Sequence, residues 1–163
     1  MSKMLKIYTI EDPKQEAFLR KVSNTVTKEE IKTDKFQKLL DDLIYTAENV
    51  LTDDGYSAAG LSAIQVGVDK KVFCILKEDS GEFEIMINPE FKVIKNEKSV
   101  DIEGCLSVPH KEGNVSRFKK IKVKYLDRNG KVQKGIFSGQ EAREIQHEYD
   151  HTQGILFIDK LED

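Results

Sequence analysis

Residues 138–154 read Ser138-Gly139-Gln140-Glu141-Ala142-Arg143-Glu144-Ile145-Gln146-His147-Glu148-Tyr149-Asp150-His151-Thr152-Gln153-Gly154, and this stretch decides both local structure and chemistry. Ser138 and Glu141 stand in the Ser-x-x-Glu arrangement of a capping box, which predicts a helix starting near Gly139. Ala142, Ile145 and Tyr149 supply an apolar stripe, and Gly154 offers a left-handed stop. On that helix His147 and His151 are four positions apart, so both imidazoles leave one face about one turn from each other. Two nitrogen ligands at this spacing suit a single cation, and Glu148 can reach a water on such a cation without being a ligand. The residues form a His-Glu-x-x-His metallohydrolase signature that uses two of the three histidines in the chain.

A catalytic site of this type takes three protein ligands and keeps one position open. Twelve residues, 152–163, follow His151 in this sequence, fewer than a protease with a glutamate ligand on a following helix requires. The longer His-Glu-x-x-His-x-x-Gly-x-x-His pattern fits through Gly154 and fails at Phe157, which has no ligand atom. The third ligand is therefore expected upstream, where Cys105 and His110 are the candidates. Cys105 is favoured because a thiolate binds borderline cations strongly and Gly104 lets the backbone approach closely. His110 is the alternative. A thiolate with two imidazoles accepts zinc, iron, cobalt or nickel alike.

Outward from this site, Cys74 sits in the apolar run Lys71-Val72-Phe73-Cys74-Ile75-Leu76-Lys77, which reads as a buried strand, so Cys74 is core. Signals from about 70 to 137 are strand-like, with turns expected at Asp79-Ser80-Gly81, Asn88-Pro89 and Asp127-Arg128-Asn129-Gly130. Lys120, Lys122 and Lys124 alternate with Ile121, Val123 and Tyr125, the pattern of a half-buried strand. Its lysine face is either solvated or a docking patch for an RNA-containing partner. Phe36, Leu39, Leu40, Leu43, Ile44, Ala47, Val50 and Leu51 predict an amphipathic helix, capped by Thr33 or Asp34 and stopped by Asp53-Asp54-Gly55. Residues 5–10 read as extended, broken by Glu11-Asp12-Pro13.

The chain has 163 residues, 39% apolar and 34% charged, which sets the expectation of one α+β domain over residues 1–163 with a real core. Lys and Arg number 26 against 29 Asp and Glu, and the net charge of −3 argues against a protein whose main task is gripping DNA or RNA phosphates. No run approaches the ~18 apolar residues of a membrane span, and no signal-peptide run follows Met1, so a cytoplasmic protein without a membrane partner is expected. Two cysteines are too few for a disulfide framework.

Three segments then stand in one order: Gly60-Leu61-Ser62-Ala63-Ile64-Gln65, Glu103-Gly104-Cys105-Leu106-Ser107, and Gln146-His147-Glu148-Tyr149-Asp150-His151 with Gly154. Together they resemble the signature motifs of the peptide deformylases, bacterial enzymes that remove the formyl group from the initiating methionine. The likeness extends through Asp12-Pro13, Leu19-Arg20 and Ile155-Leu156-Phe157-Ile158-Asp159. It implies one catalytic domain of antiparallel or mixed sheets packed around the motif helix, plus one amphipathic helix in the N-terminal half.

The resemblance also implies Cys105, His147 and His151 as ligands of one divalent metal, ferrous iron in the cell, with zinc, nickel or cobalt able to replace it. Glu148 becomes the general acid/base, and Gln65 with the backbone N–H of Leu106 the oxyanion donors. Ala59, Gly60 and Gly104 are expected to clamp an extended N-formylmethionyl nascent peptide by β-addition. Docking on the ribosome would suit the role. Glu103 and Arg117 are expected either to pair and fix the Cys105 loop or to form a plain surface charge pair, Asp150 either to hold a ligand histidine in its tautomer or to be a solvated helix carboxylate, and Arg143 or Glu144 to border the methionine pocket or face water. The sequence departs from the family pattern at Ala58 (usually glycine), Ser62 (usually alanine), His110 (usually glycine) and Thr152 (usually leucine). None removes a reacting group. The rival readings are a small His-Glu-x-x-His protease and a non-catalytic zinc module, which would give Glu148 and Gln65 nothing to do.

Overall fold

The computed structural model describes residues 1–52, Gly55 and 58–162. The chain runs through α1 (Pro13–Leu19), α2 (Lys28–Ile31), α3 (Asp34–Asn49), β1 (Gly60–Ser62), β2 (Val72–Leu76), β3 (Phe83–Val93), β4 (Lys98–Cys105), β5 (Val108–Phe118), β6 (Lys120–Leu126), β7 (Val132–Ser138) and α4 (Gly139–Thr152). Short 3₁₀ turns cover Ala63–Val66 and Phe157–Lys160. Five strands form one sheet in the order β1-β2-β3-β6-β7, and β4 pairs with β5 separately. Each of these pairings is antiparallel.

The apolar run of β2 is explained by cover on both faces. Val72 and Cys74 pack with Phe36, Leu40, Leu43 and Ala47 of α3, whereas Phe73 and Ile75 pack with Ala142 and Ile145 of α4. Full burial of such side chains stabilises by about 1.5–3 kcal/mol each. On β6, Ile121, Val123 and Tyr125 join the α4 cluster while Lys120, Lys122 and Lys124 are exposed, as the alternation requires. Helix α4 contacts the large sheet on one side and β5 on another, which leaves His147, Glu148 and His151 buried. The expected architecture, sheets packed around the motif helix, is the one observed. No described helix is long and apolar enough to cross a membrane.

Local readings were partly different. Helix α4 starts where Ser138 and Glu141 place it, but Ser138 makes no side-chain capping bond. Glu141 instead accepts from the Glu78 N–H at 2.8 Å and from Lys77 Nζ at 3.4 Å, tying the helix start to the β2–β3 loop. Asn88-Pro89 is not a turn. It lies inside β3 at a register shift between Ile87 and Glu90, with Asn88 at φ 50°. A bulge accommodates the proline's missing N–H, and the Asn88 amide exchanges two 2.9 Å hydrogen bonds with the backbone of Val26. Residues 5–10 form no strand, and Asp12-Pro13 opens α1, where Asp12 caps the N–H of Lys14 at 2.8 Å.

Thr33 is the cap of α3, accepting from the Phe36 N–H at 3.2 Å. That helix ends at Asn49, with Val50 extended and Leu51 exposed, because its core contacts stop at Ala47. Of the expected stop, Asp53 and Asp54 lie outside the described residues. Gly154 adopts φ 75°, and a Cβ there would strike the Arg20 carbonyl, so both conformation and space demand glycine.

Candidate active site

Helix α4 delivers His147 and His151 from one face, and the end of β4 brings Cys105 to them. One ligand atom from each of the three lies within 4.8 Å of the other two. Cys105 Sγ is 3.4 Å from His151 Nε2. Among the described residues this is the one cluster of three such donors, and His110, exposed on β5 at φ 66°, is not in it. Phe157, where the longer protease pattern would need a ligand, stacks on the His147 ring at 6.3 Å.

The donors suit a divalent transition metal. Burial alone would raise the Cys105 thiol, but His151 and His147 beside it hold its pKa down to about 5, so the sulfur is a thiolate at neutral pH. Glu103 Oε1 lies 2.9 Å from His147 Nδ1, which leaves Nε2 available to a metal. Burial disfavours charge on His147, yet its contacts with Cys105 and Glu103 prevail and raise its pKa well above the usual histidine value. Among the described residues, buried His151 Nδ1 has no hydrogen-bond partner.

Glu103 is the hub of a buried ion network that joins β4, β5 and α4. Arg117 donates to it through Nε at 2.9 Å and Nη2 at 2.8 Å, and Arg143 through Nη1 at 2.7 Å. Although burial opposes its charge, these guanidinium and imidazole partners hold the Glu103 carboxyl well below the usual carboxylate range. The expected Glu103–Arg117 pair is therefore present. Asp150, in contrast, holds no histidine: it accepts from Arg117 Nη1 at 2.6 Å and pairs with Lys160 at 2.9 Å, because its side chain faces β5 rather than the ligands. Glu103 takes the tautomer-fixing place. Arg143 does not face water: it is buried against Glu103 and the carbonyls of Val115 and Ser99.

Gln65 is buried in the 3₁₀ turn after β1. Its Oε1 accepts from the Ser62 N–H at 3.0 Å, and its Nε2 reaches Ser107 Oγ at 3.1 Å and Cys105 Sγ at 3.5 Å. The Tyr8 N–H, 2.7 Å from the Gln65 carbonyl, ties the N-terminal segment to this turn. Leu106 follows Cys105 and packs partly buried on the α3 cluster. Glu148 is buried beside His147 and Cys105, and burial, then the nearby Glu144 carboxyl, push its pKa well above the usual carboxylate range. Ser62 Oγ donates toward Glu148 Oε1 at 2.8 Å, with the Glu148 carbonyl at 3.1 Å.

Ala59 and Gly60 lie at the free edge of the large sheet, where the Ala59 carbonyl accepts from the Leu76 N–H at 2.8 Å. A Cβ on Gly60 would sit 2.8 Å from Glu144 Oε1 and 3.0 Å from Glu148 Oε2, so glycine lets α4 carboxyls close on this edge. Gly104 is exposed on β4, paired with Glu112. Reasoning from sequence missed the contacts of Ser62, Ser107 and Glu144. Glu144 had a signal, its i, i+4 spacing to Glu148; the Ser62–Glu148 contact spans 86 positions and had none.

The model of the polypeptide deformylase family matches residues 4–163. A peptide deformylase of Pseudothermotoga lettingae is 36% identical over 156 residues, 96% of this chain and 82% of the relative. One of Stutzerimonas stutzeri is 38% identical over 159 residues, 97% and 87% of the two chains. Among solved structures, the Met-Ala-Ser-bound class I type b peptide deformylase of Acinetobacter baumannii superposes with a TM-score of 0.86 at 30% identity, covering 99% of this chain and 100% of the other. The Thermotoga maritima peptide deformylase gives 0.83 at 34% identity, covering 99% of each chain.

Proposed function

The chain belongs to the polypeptide deformylase family, metal-dependent hydrolases that remove the N-formyl group from nascent peptides, and from that premise we propose which of its residues do the work. Cys105, His147 and His151 hold one divalent metal, ferrous iron in the cell. The observation that carries this reading is the convergence of their ligand atoms within 4.8 Å, beside a buried Glu148. When bound, such a metal supplies Lewis acidity and makes water acidic enough to react at neutral pH.

Glu148 takes the proton from the attacking water and returns it to the leaving amine nitrogen, so one carboxyl acts as base and then as acid. Gln65 Nε2 and the Leu106 N–H donate to the formyl oxygen as negative charge develops on it. Water adds to the formyl carbon, the C–N bond breaks, and formate and a free N-terminus result. Ala59 and Gly60 on one side and Gly104 on the other bind the N-formylmethionyl peptide as an added strand, reading backbone rather than sequence. Residues 1–163 act as one catalytic domain in the cytoplasm, and the exposed lysines of β6 support docking on the ribosome.

The test is formate release from formyl-Met-Ala-Ser by protein purified without oxygen, with metal analysis of the same sample. Formate released by a sample carrying about one iron per chain is expected from the three-ligand site. Cleavage of unformylated peptides without formate would overturn the reading.

A further inference from the structure

The two oxygens of Glu148 have different surroundings. Oε1 accepts from Ser62 Oγ at 2.8 Å, and both residues are buried. Oε2 lies on the Gly60 side, 3.0 Å from where a Cβ on Gly60 would be, and Glu144 Oε1 occupies the same edge, 2.8 Å from that point. Glu144 stands one turn earlier on α4, at the i, i+4 spacing that brings its carboxyl beside that of Glu148. The acid/base carboxyl thus stands between a hydroxyl donor on β1 and a second carboxyl on its own helix.

We infer that Ser62 is a positioning residue for the reaction: its hydroxyl anchors Glu148 Oε1 against the pull of Glu144, so that Oε2, facing the substrate edge, is the atom that accepts and returns the proton. The inference rests on the assignment of Glu148 as acid/base. Physically, the Ser62 proton is shared between Oε1 at 2.8 Å and the Glu148 carbonyl at 3.1 Å, and the shorter contact to the carboxylate is the stronger. Without it the carboxyl is free to rotate about its last torsion, which has a broad, roughly two-fold profile. Glu144 then stands beside the freed carboxyl, on the Gly60 edge that Oε2 already faces. Among the described residues no cation pairs with Glu144 to restrain it.

Ser62→Ala, Glu144→Ala and the double variant, compared with wild type and Glu148→Ala, test this. The first substitution installs the residue usual in the family pattern, and folding is checked by melting temperature. Ser62→Ala is expected to lower kcat roughly tenfold, the loss of one charge-assisted hydrogen bond. KM and metal content stay unchanged. In the Glu144→Ala background the same substitution should change kcat by less than about twofold, because coupled neighbours are non-additive. A crystal structure of Ser62→Ala should show the Glu148 carboxyl turned toward Glu144.

An unchanged kcat, an equal loss in both backgrounds, an unturned carboxyl, or a loss explained by missing metal would each overturn the inference. Full turnover by Glu148→Ala would instead place the fault in the acid/base assignment on which it rests.

Discussion

At the scale of single residues, the site depends on charge states that burial and neighbours impose. Cys105 is half-buried, and the two histidines beside it hold its thiol at about 5, whereas Cys74 is fully buried with its thiol raised by desolvation. In metal-free protein at pH 6.5, iodoacetamide should therefore modify Cys105 and leave Cys74 untouched, and metal loading should protect Cys105; mass spectrometry of the labelled peptides decides it. Equal labelling of both cysteines would contradict the geometry. Glu148 makes no ligand contact in the assignment above, so Glu148→Ala should keep its metal and lose turnover by roughly 10²–10⁴-fold, the usual size of a general acid–base contribution. Metal analysis beside steady-state kinetics separates that result from loss of the site. The spacing of His147, Glu148 and His151 is legible from sequence because the helix period imposes it. The contacts of Ser62 and Ser107 are not, because they join residues far apart in the chain.

At the scale of elements, β4, β5 and α4 are held together by charge rather than by apolar packing alone. The strand register sets Glu103 of β4 against Gly113 and Arg117 of β5 against Ser99, so the Glu103–Arg117 pair is made diagonally by their side chains, and Arg143, His147 and Asp150 of α4 close the network. Removing one partner of a buried pair leaves the other uncompensated, so Arg117→Ala should destabilise the fold by about 3–5 kcal/mol. It should also weaken metal retention, because Glu103 then loses the fork that keeps it on His147. The Glu103 carboxyl is depressed in the folded state, so its contribution is present above the ordinary glutamate pKa and is lost as pH falls through that value toward the lowered one. Urea unfolding followed from pH 7 to pH 3 should show stability falling with acid, with a shallower fall in Arg117→Ala. A steeper fall in the variant would refute the network's role. The elements themselves were only partly readable. Helix α4 begins where Ser138 and Glu141 put it, yet Glu141 is spent on the β2–β3 loop, and Asn88-Pro89 marks a bulge because β2 and β6 pair with β3 on either side of it.

At the scale of the whole molecule, the proposed ligands Cys105, His147 and His151 come from two elements whose distance apart only the packed fold maintains, so a metal held by them would stabilise the native state over the unfolded one. Titrating zinc or nickel into metal-free protein should raise Tm progressively, with about 2.7 kcal/mol of added stability at a hundredfold excess over Kd. Replacing Cys105 by serine should remove most of that rise, and a Tm indifferent to metal would argue against the three-ligand site. Some of this was open to the sequence alone. The helix period put His147 and His151 on one face, the failure of Phe157 as a ligand sent the search upstream, and strict alternation in Lys120–Tyr125 marked a half-buried strand. Local chemistry and short-range periodicity suffice for such features, since each depends on residues a few positions apart. Tertiary structure decided the rest: Glu103 rather than Asp150 behind His147, Arg143 buried on the same carboxylate, and Ser62 on the oxygen of Glu148. Those partners are set by how α4 lies between the large sheet and β5, and a one-dimensional pattern carries no distance between segments that only packing brings together.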